Sequence, residues 1–352
     1  MAPLDFPAGG YWQDYVGFWF VWAAILAGTW VFFRGTRGRT GKLRLVAGNV
    51  LVFASLLWTL LLAGETYLRY VYDTTDSYGL TLTNWSWFTR HFRPNTDGFR
   101  DAEFSREKRP GTTRVDCVGD SFTMGWGVPD PADCWPQRLD SALARKSPGA
   151  FQVRNFGVVG LTTGGEADIV DKIAELGGTD HVILGYCLND PDDLMPPETW
   201  FRREDQPKVP FIEPTRSFVA DFFWFRFKLL RDPRVQGYFD WEVRAYEDPA
   251  IFDRQRARFR RIAETCRRAS MRLDVIVFPM FSQWGDDYRF GVCHDHVVAA
   301  FKELGVTAID LRDAYRGIPG KDLAVNRLDG HPNERAHEIA AQTVMERVFA
   351  GR

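Results

Sequence analysis

Gly119-Asp120-Ser121 closes a short β-prone run, Val115 to Val118, and is followed at once by Gly125 and Gly127. A serine handed over at a strand end, before a small-residue turn and a helix start, can offer its hydroxyl and its own backbone N–H to one ligand oxygen. A serine hydroxyl is a weak nucleophile at neutral pH and requires a base to take its proton and a third group to orient that base. His331 is the candidate base, because Pro332 sets a loop-to-helix turn behind it and Asn333 or Glu334 can open the last helix. Asp120 and Asp190 read as caps for nearby N–H groups rather than as the orienting acid.

The elements that must position these groups alternate. Arg114 to Val118, Phe151 to Asn155, His181 to Tyr186, Leu273 to Pro279 and Val306 to Leu311 read as five strands. Between them, helices are expected over Trp135 to Ala144, Gly164 to Leu176, Ile251 to Ser270 and His294 to Leu304, with Glu334 to Phe349 closing the chain. The third strand is continuously apolar, as in parallel sheets buried on both faces. This order predicts a doubly wound, mostly parallel five-stranded α/β sheet in three layers.

Two stretches lie outside that plan. Tyr15 to Phe33 and Leu45 to Gly64 carry no charge and are each close to the length that crosses a bilayer core of about 30 Å. They predict a two-span hairpin. Met1 to Asp14 has no Lys or Arg, which argues against a cleaved signal peptide. The connector holds Arg34, Arg37, Arg39, Lys42 and Arg44, and basic short loops stay cytoplasmic. The N-terminus and everything beyond Gly64 then lie on the periplasmic or extracellular side of an inner membrane. Trp19, Trp22, Trp30 and Trp58 can anchor at interfaces or pack between helices. Domain boundaries follow as an anchor over 1–64, a connector over 65–113 with no sustained period, and an α/β domain over 114–352. Within the last, 191–248 is an aromatic insertion. Its Phe222 to Lys228 run suits a helix on the membrane surface, a lid over the serine, or a helix packed into the domain core.

A formal net charge of −2 gives no electrostatic case for nucleic acid. Five cysteines at irregular spacing form no zinc or redox framework; Cys117 and Cys187 read as small buried hydrophobes, and a Cys266–Cys293 disulfide is open in an oxidising compartment. His294-Asp295-His296 suggests a metal cluster, but positions i and i+2 diverge on a helix and no third ligand is near, so neither metal nor cofactor is expected. His91, His181 and His337 read as structural. Asn84-Trp85-Ser86 matches a glycosylation sequon by chance.

Three further blocks extend the serine motif in order: Asn155 to Gly165, Val182 to Asp190, and Leu328-Asp329-Gly330-His331-Pro332-Asn333. Together the four resemble the SGNH (GDSL) hydrolase family over residues 95 to 350, beginning at Asn95-Thr96-Asp97-Gly98-Phe99-Arg100, which is similar to a lead-in of membrane-anchored members. The resemblance implies a flavodoxin-like sheet and Ser121 and His331 as nucleophile and base. The family's usual acid stands three residues before the histidine, where this chain has Leu328, so Asp329 takes that role at a shortened spacing. It also implies an oxyanion hole from the N–H of Ser121, the N–H of Gly160 and the amide of Asn189. Glycine lets a backbone N–H approach without a Cβ in the way. The function implied is a serine esterase or O-acyltransferase acting through a Ser121 acyl-enzyme on an acylated carbohydrate or a lipid ester. The rival is a catalytically silent module whose spans dock into a larger membrane complex.

Overall fold

The computed structural model describes residues 12–77, 81–105, 107–194, 196 and 215–350. Two compact units result. One comprises Met1–Asp73, Leu80–Trp87 and Arg202–Arg231; the other comprises Thr74–Gly79, Phe88–Phe201 and Asp232–Arg352.

In the second unit, β1 (Thr113–Gly119), β2 (Phe151–Gly157), β3 (His181–Cys187), β4 (Arg272–Phe278) and β5 (Thr307–Asp310) form a sheet in the order β2-β1-β3-β4-β5. Every pairing is parallel. Since β1 lies between β2 and β3, the loops that follow these three strands leave the same rim of the sheet side by side, which is where open α/β sheets place their ligands. One face is covered by Thr163–Leu176, Pro249–Arg268 and Gly291–Glu303 through Val170, Ile173, Phe259, Ile262, Cys266, Val297 and Phe301. The other is covered by Trp135–Lys146 and Glu334–Val348 through Leu139, Leu143, Ala336, Ala340 and Val344. All residues of β3 are buried, which accounts for its unbroken apolar run.

Three glycines set how close the serine turn lies to the sheet. Gly119 pairs with Gly157 on one side and Gly185 on the other, a row across β2, β1 and β3. A Cβ on Gly157 would stand 2.2 Å from Met124 N; one on Gly119 or Gly185 would stand 2.2 or 2.4 Å from Thr123 Oγ1. Gly157→Ala should therefore push the Ser121–Met124 turn off the sheet and cost about 1–3 kcal/mol. Gly164→Ala, whose nearest neighbour is 3.5 Å away in a helix, should be neutral or stabilising. Thermal unfolding of both variants checks this, and equal midpoints would refute it.

The first unit holds Trp12–Gly35 and a helix running from Lys42 to Val71, both long and apolar enough, by length and composition, to cross a membrane. They pack on each other. Trp22 Nε1 donates to Thr59 Oγ1 at 2.9 Å, Trp58 Nε1 to Phe18 O at 3.0 Å, and Thr29 and Ser55 hydroxyls meet at 3.0 Å. Two of the four tryptophans thus tie the helices together.

Several expectations need correction. Within 65–113, where the sequence shows no sustained period, the second long helix continues to Val71 and a further helix covers Leu82–His91. That helix is short and buries Leu82, Thr83, Asn84, Ser86 and Trp87, a mixed polar and apolar face that hides its period. The insertion forms helices Phe218–Leu229 and Pro233–Glu247, while 197–214 lies outside the described residues. The aromatic helix is packed through Phe218, but against Leu68 and Leu82 in the first unit rather than in the α/β core. Cys266 and Cys293 are free, buried thiols and form no disulfide.

Candidate active site

Asp120 makes the serine turn. Its carboxylate accepts from Phe122 N at 2.8 Å and its carbonyl from Met124 N at 3.0 Å, capping the one-turn helix Ser121–Met124, which ends at Gly125 with φ +82°. Asn155 fastens the far side: its Nδ2 donates to Thr123 O at 3.0 Å and its Oδ1 accepts from Gly157 N at 2.9 Å. Behind the turn, the buried Arg100 guanidinium donates to the carbonyls of Gly125, Val128 and Pro129 at 2.8, 2.7 and 2.9 Å. Trp135 N donates to His337 Nδ1 at 3.2 Å; burial, reinforced by the charges of Arg138 and Arg100, pushes the His337 imidazole down to about 3, so it stays a neutral acceptor.

The histidine arrives on a hairpin absent from the sequence reading. β6 (Ala324–Asn326) and β7 (Asp329–Pro332) pair antiparallel, and β7 carries both Asp329 and His331. His331 Nε2 lies 2.9 Å from Ser121 Oγ, and His331 Nδ1 lies 2.5 Å from Asp329 Oδ1. With its Nδ1 proton given to Asp329, the ring leaves Nε2 to accept from the serine. Asp329 Oδ1 also accepts from His331 N at 3.0 Å, so the shortened spacing still closes the relay. Burial alone would depress His331 and raise Asp329. The attraction between them reverses both, leaving the imidazole above and the carboxyl below its usual range.

The hairpin is strapped from far away in sequence. Ser77 N donates to Leu328 O at 2.9 Å, and Ser77 Oγ accepts from Gly330 N at 2.9 Å. Asn326 Nδ2 donates to Thr74 Oγ1 and Thr75 O at 2.7 and 2.8 Å, and Asn326 Oδ1 accepts from Leu328 N at 2.7 Å. Asn333 caps the last helix by accepting from Ala336 N at 3.1 Å.

Of the expected oxyanion donors, Ser121 opens its helix at the end of β1, Gly160 sits with φ +68° in the loop after β2, and Asn189 follows β3 by two residues. Neither the Gly160 N–H nor the Asn189 side-chain amide donates to another described residue, and the loops meet where Thr163 N donates to Asp190 O. Asp190 caps as expected, accepting from Cys187 N at 3.1 Å. His294 is held between Asp310 Oδ1 at 3.0 Å and Tyr288 OH at 3.1 Å, and His181 lies 2.7 Å from Asp274, so both serve the packing.

Behind the site lies a group of buried acids, of which sequence reasoning singled out only Asp120 and Asp190. Burial raises Asp120 to about 6 and Asp192 to about 7, and raises Glu166, Asp190 and Glu242 well above the carboxylate range; mutual repulsion adds to the shift of those last three. A group that titrates higher when folded stabilises below its unfolded value and loses that contribution as pH rises through the folded one. The thermal midpoint should therefore fall between pH 5 and pH 8, with a shallower slope in Glu166→Gln, whose amide has no proton to lose. A midpoint that is flat or rises over this range would contradict the assignment.

Residues 117–339 match the GDSL-like lipase/acylhydrolase family, and the chain belongs to that family of serine hydrolases acting on ester bonds. The solved structure of TesA is 14% identical with a TM-score of 0.43, covering 66% of this chain and 97% of that one. A lipolytic G-D-S-L protein from Veillonella parvula DSM 2008 is 16% identical with a TM-score of 0.41, covering 68% and 100%. A catalytic mutant of Axe2, an acetylxylan esterase from Geobacillus stearothermophilus, is 14% identical with a TM-score of 0.42, covering 68% and 95%. Among curated proteins, no sequence matches.

Proposed function

We propose that the chain is a membrane-anchored serine esterase or O-acyltransferase. Its acyl donor would be an acylated carbohydrate or a lipid ester, met at the non-cytoplasmic face. The observation that carries this reading is the unbroken relay from Ser121 Oγ through the His331 ring to Asp329, at 2.9 and 2.5 Å. In the proposed cycle Ser121 Oγ attacks the acyl carbon while its proton passes to His331 Nε2. The N–H groups of Ser121 and Gly160 and the Asn189 amide hold the oxyanion. Collapse expels the alcohol with the proton from His331. Water or a sugar hydroxyl then attacks the Ser121 ester, its proton going to His331, and Ser121 leaves reprotonated. Water makes the enzyme an esterase and a sugar hydroxyl makes it a transferase.

The proposed organisation is an anchor over 1–64, a connector over 65–113 and the hydrolase domain over 114–352, with the basic Arg34 to Arg44 loop cytoplasmic. A fluorophosphonate probe tests the chemistry. Covalent labelling of the full chain at Ser121 supports the enzyme; an inert protein with intact fold favours the silent module. For the oxyanion assignment, Asn189→Ala should lower kcat about 10²–10³-fold on a nitrophenyl acetate assay while leaving probe labelling at Ser121 detectable. Unchanged kcat removes Asn189 from the hole.

A further inference from the structure

The first unit carries an element that ester chemistry does not use. The helix Phe218–Leu229 is seated at one end of the second apolar helix by a single carboxylate. Glu65 accepts from Phe218 N at 2.8 Å, Val219 N at 3.0 Å and Ser217 Oγ at 2.9 Å. Arg69 pairs with Glu65 at 2.6 Å and donates to Arg216 O at 2.8 Å, so the buried charge is neutralised where it caps the helix. Leu82 N adds a bond to Asp221 Oδ2 at 2.7 Å. A Cβ on Gly64 would come within 3.1 Å of Val219 Cγ2, so helix and span meet with almost no gap.

This docking consumes Phe218, Val219 and Phe222, which pack with Leu68, Leu82, Tyr72 and Trp85. On the opposite side Phe223, Trp224 and Phe227 stay 64, 42 and 53% exposed at positions i, i+1 and i+4. The Arg231 guanidinium lies 4.0 Å from the ring centre of Phe227, placing a cation beside the exposed aromatics, while Arg226 stacks on Phe222 at the docked side. An apolar face of this kind marks a binding surface, and its position identifies the occupant. It starts level with the last residues of a bilayer-length span, where Trp12, Tyr67 and Tyr70 are also more than half exposed. Aromatic rings with interleaved Arg and Lys at a span end are the composition of a lipid–water interface.

We propose that Phe218–Leu229 is an interfacial helix. Phe223, Trp224 and Phe227 seat in the lipid leaflet at the Glu65 end of the spans, and the neighbouring cations face its phosphate headgroups. The inference rests on the two-span reading and goes beyond it, since it assigns a third membrane contact to a segment distant in sequence. The test uses the full chain in phospholipid nanodiscs, with an environment-sensitive dye on one introduced cysteine at a time: Phe223→Cys, Phe227→Cys, Leu57→Cys and Glu303→Cys. The five native thiols are buried. Leu57 is 45% exposed on the span, and Glu303 is a surface residue of the α/β unit. Dyes at 223 and 227 should be quenched by headgroup-proximal doxyl lipid, with iodide quenching about tenfold weaker than at 303. If 223 and 227 are as open to iodide as 303 while 57 is lipid-quenched, the spans stand and the interfacial helix is wrong. Shielding of 223 and 227 from both quenchers means protein covers the face, which also overturns it. Iodide access at 57 would instead sink the two-span reading itself.

Discussion

Ser121→Ala should reduce kcat for ester hydrolysis by about 10⁴-fold or more, the loss seen when the nucleophile of a serine-histidine relay is removed. The side chain is only 4% exposed and the substitution deletes one oxygen, so the Asp120 cap, the glycine row and the packing of Phe122 remain. Stability should change by no more than about 1 kcal/mol, because the hydroxyl loses only its one donated bond, to His331, and a 3.2 Å contact with Asp120 Oδ2. Residual turnover would come from whatever oxyanion donors remain, with water attacking directly. Paired measurements of kcat and thermal midpoint decide the matter. A variant within tenfold of wild type, with unchanged midpoint, would remove Ser121 from the chemistry.

Asp329→Asn should lower kcat about 10³–10⁴-fold with the fold intact. Asparagine matches the carboxylate in shape, but an amide cannot hold the ring by accepting the Nδ1 proton with full charge, and presenting its NH₂ instead would favour the tautomer with Nε2 protonated. That tautomer cannot accept from Ser121. A second readout separates orientation from bulk damage. The attraction of Asp329 raises the His331 imidazole above the ordinary value near 6.5 against the opposing pull of burial. Turnover needs the neutral ring, so wild-type kcat/KM should rise with pH through an apparent value above 6.5. In Asp329→Asn the largest raising influence is gone, burial is opposed only by the charges of Asp120 and Asp76, and the acid limb should move to lower pH. Loss of rate without that displacement would mean that another group sets the ring's titration.

The central architecture was legible because its signals are local. Five apolar runs alternating with amphipathic helices specify the sheet, and Gly119-Asp120-Ser121, Gly160, Asn189 and His331 each stand in a recognisable block. What escaped depends on partners distant in sequence. Ser77 and Gly330 share a hydrogen bond across 253 positions, and nothing near Ser77 distinguishes it from an ordinary turn residue. The glycine row is assembled from Gly119, Gly157 and Gly185 on three strands, each unremarkable until the register aligns them. The β6–β7 hairpin has strands of three and four residues, rich in Asp, Gly, Asn and Pro, too short and too polar for a period of two to show. Arg100 stands within the Asn95 to Arg100 lead-in, but its hold on the carbonyls of Gly125, Val128 and Pro129 joins residues 25, 28 and 29 positions apart.

The strap formed by Thr74, Thr75 and Ser77 decides where the polypeptide can be shortened. A water-soluble form for crystallography or inhibitor screening must begin no later than Thr74, since a cut a few residues downstream would leave Asn326 and the Gly330 amide without their partners and let the acid-bearing loop drift. Beginning at Thr74 also discards Leu68, against which Leu82 and Phe218 are packed, so that form would expose a greasy face and should be handled in mild detergent or with those two positions made polar.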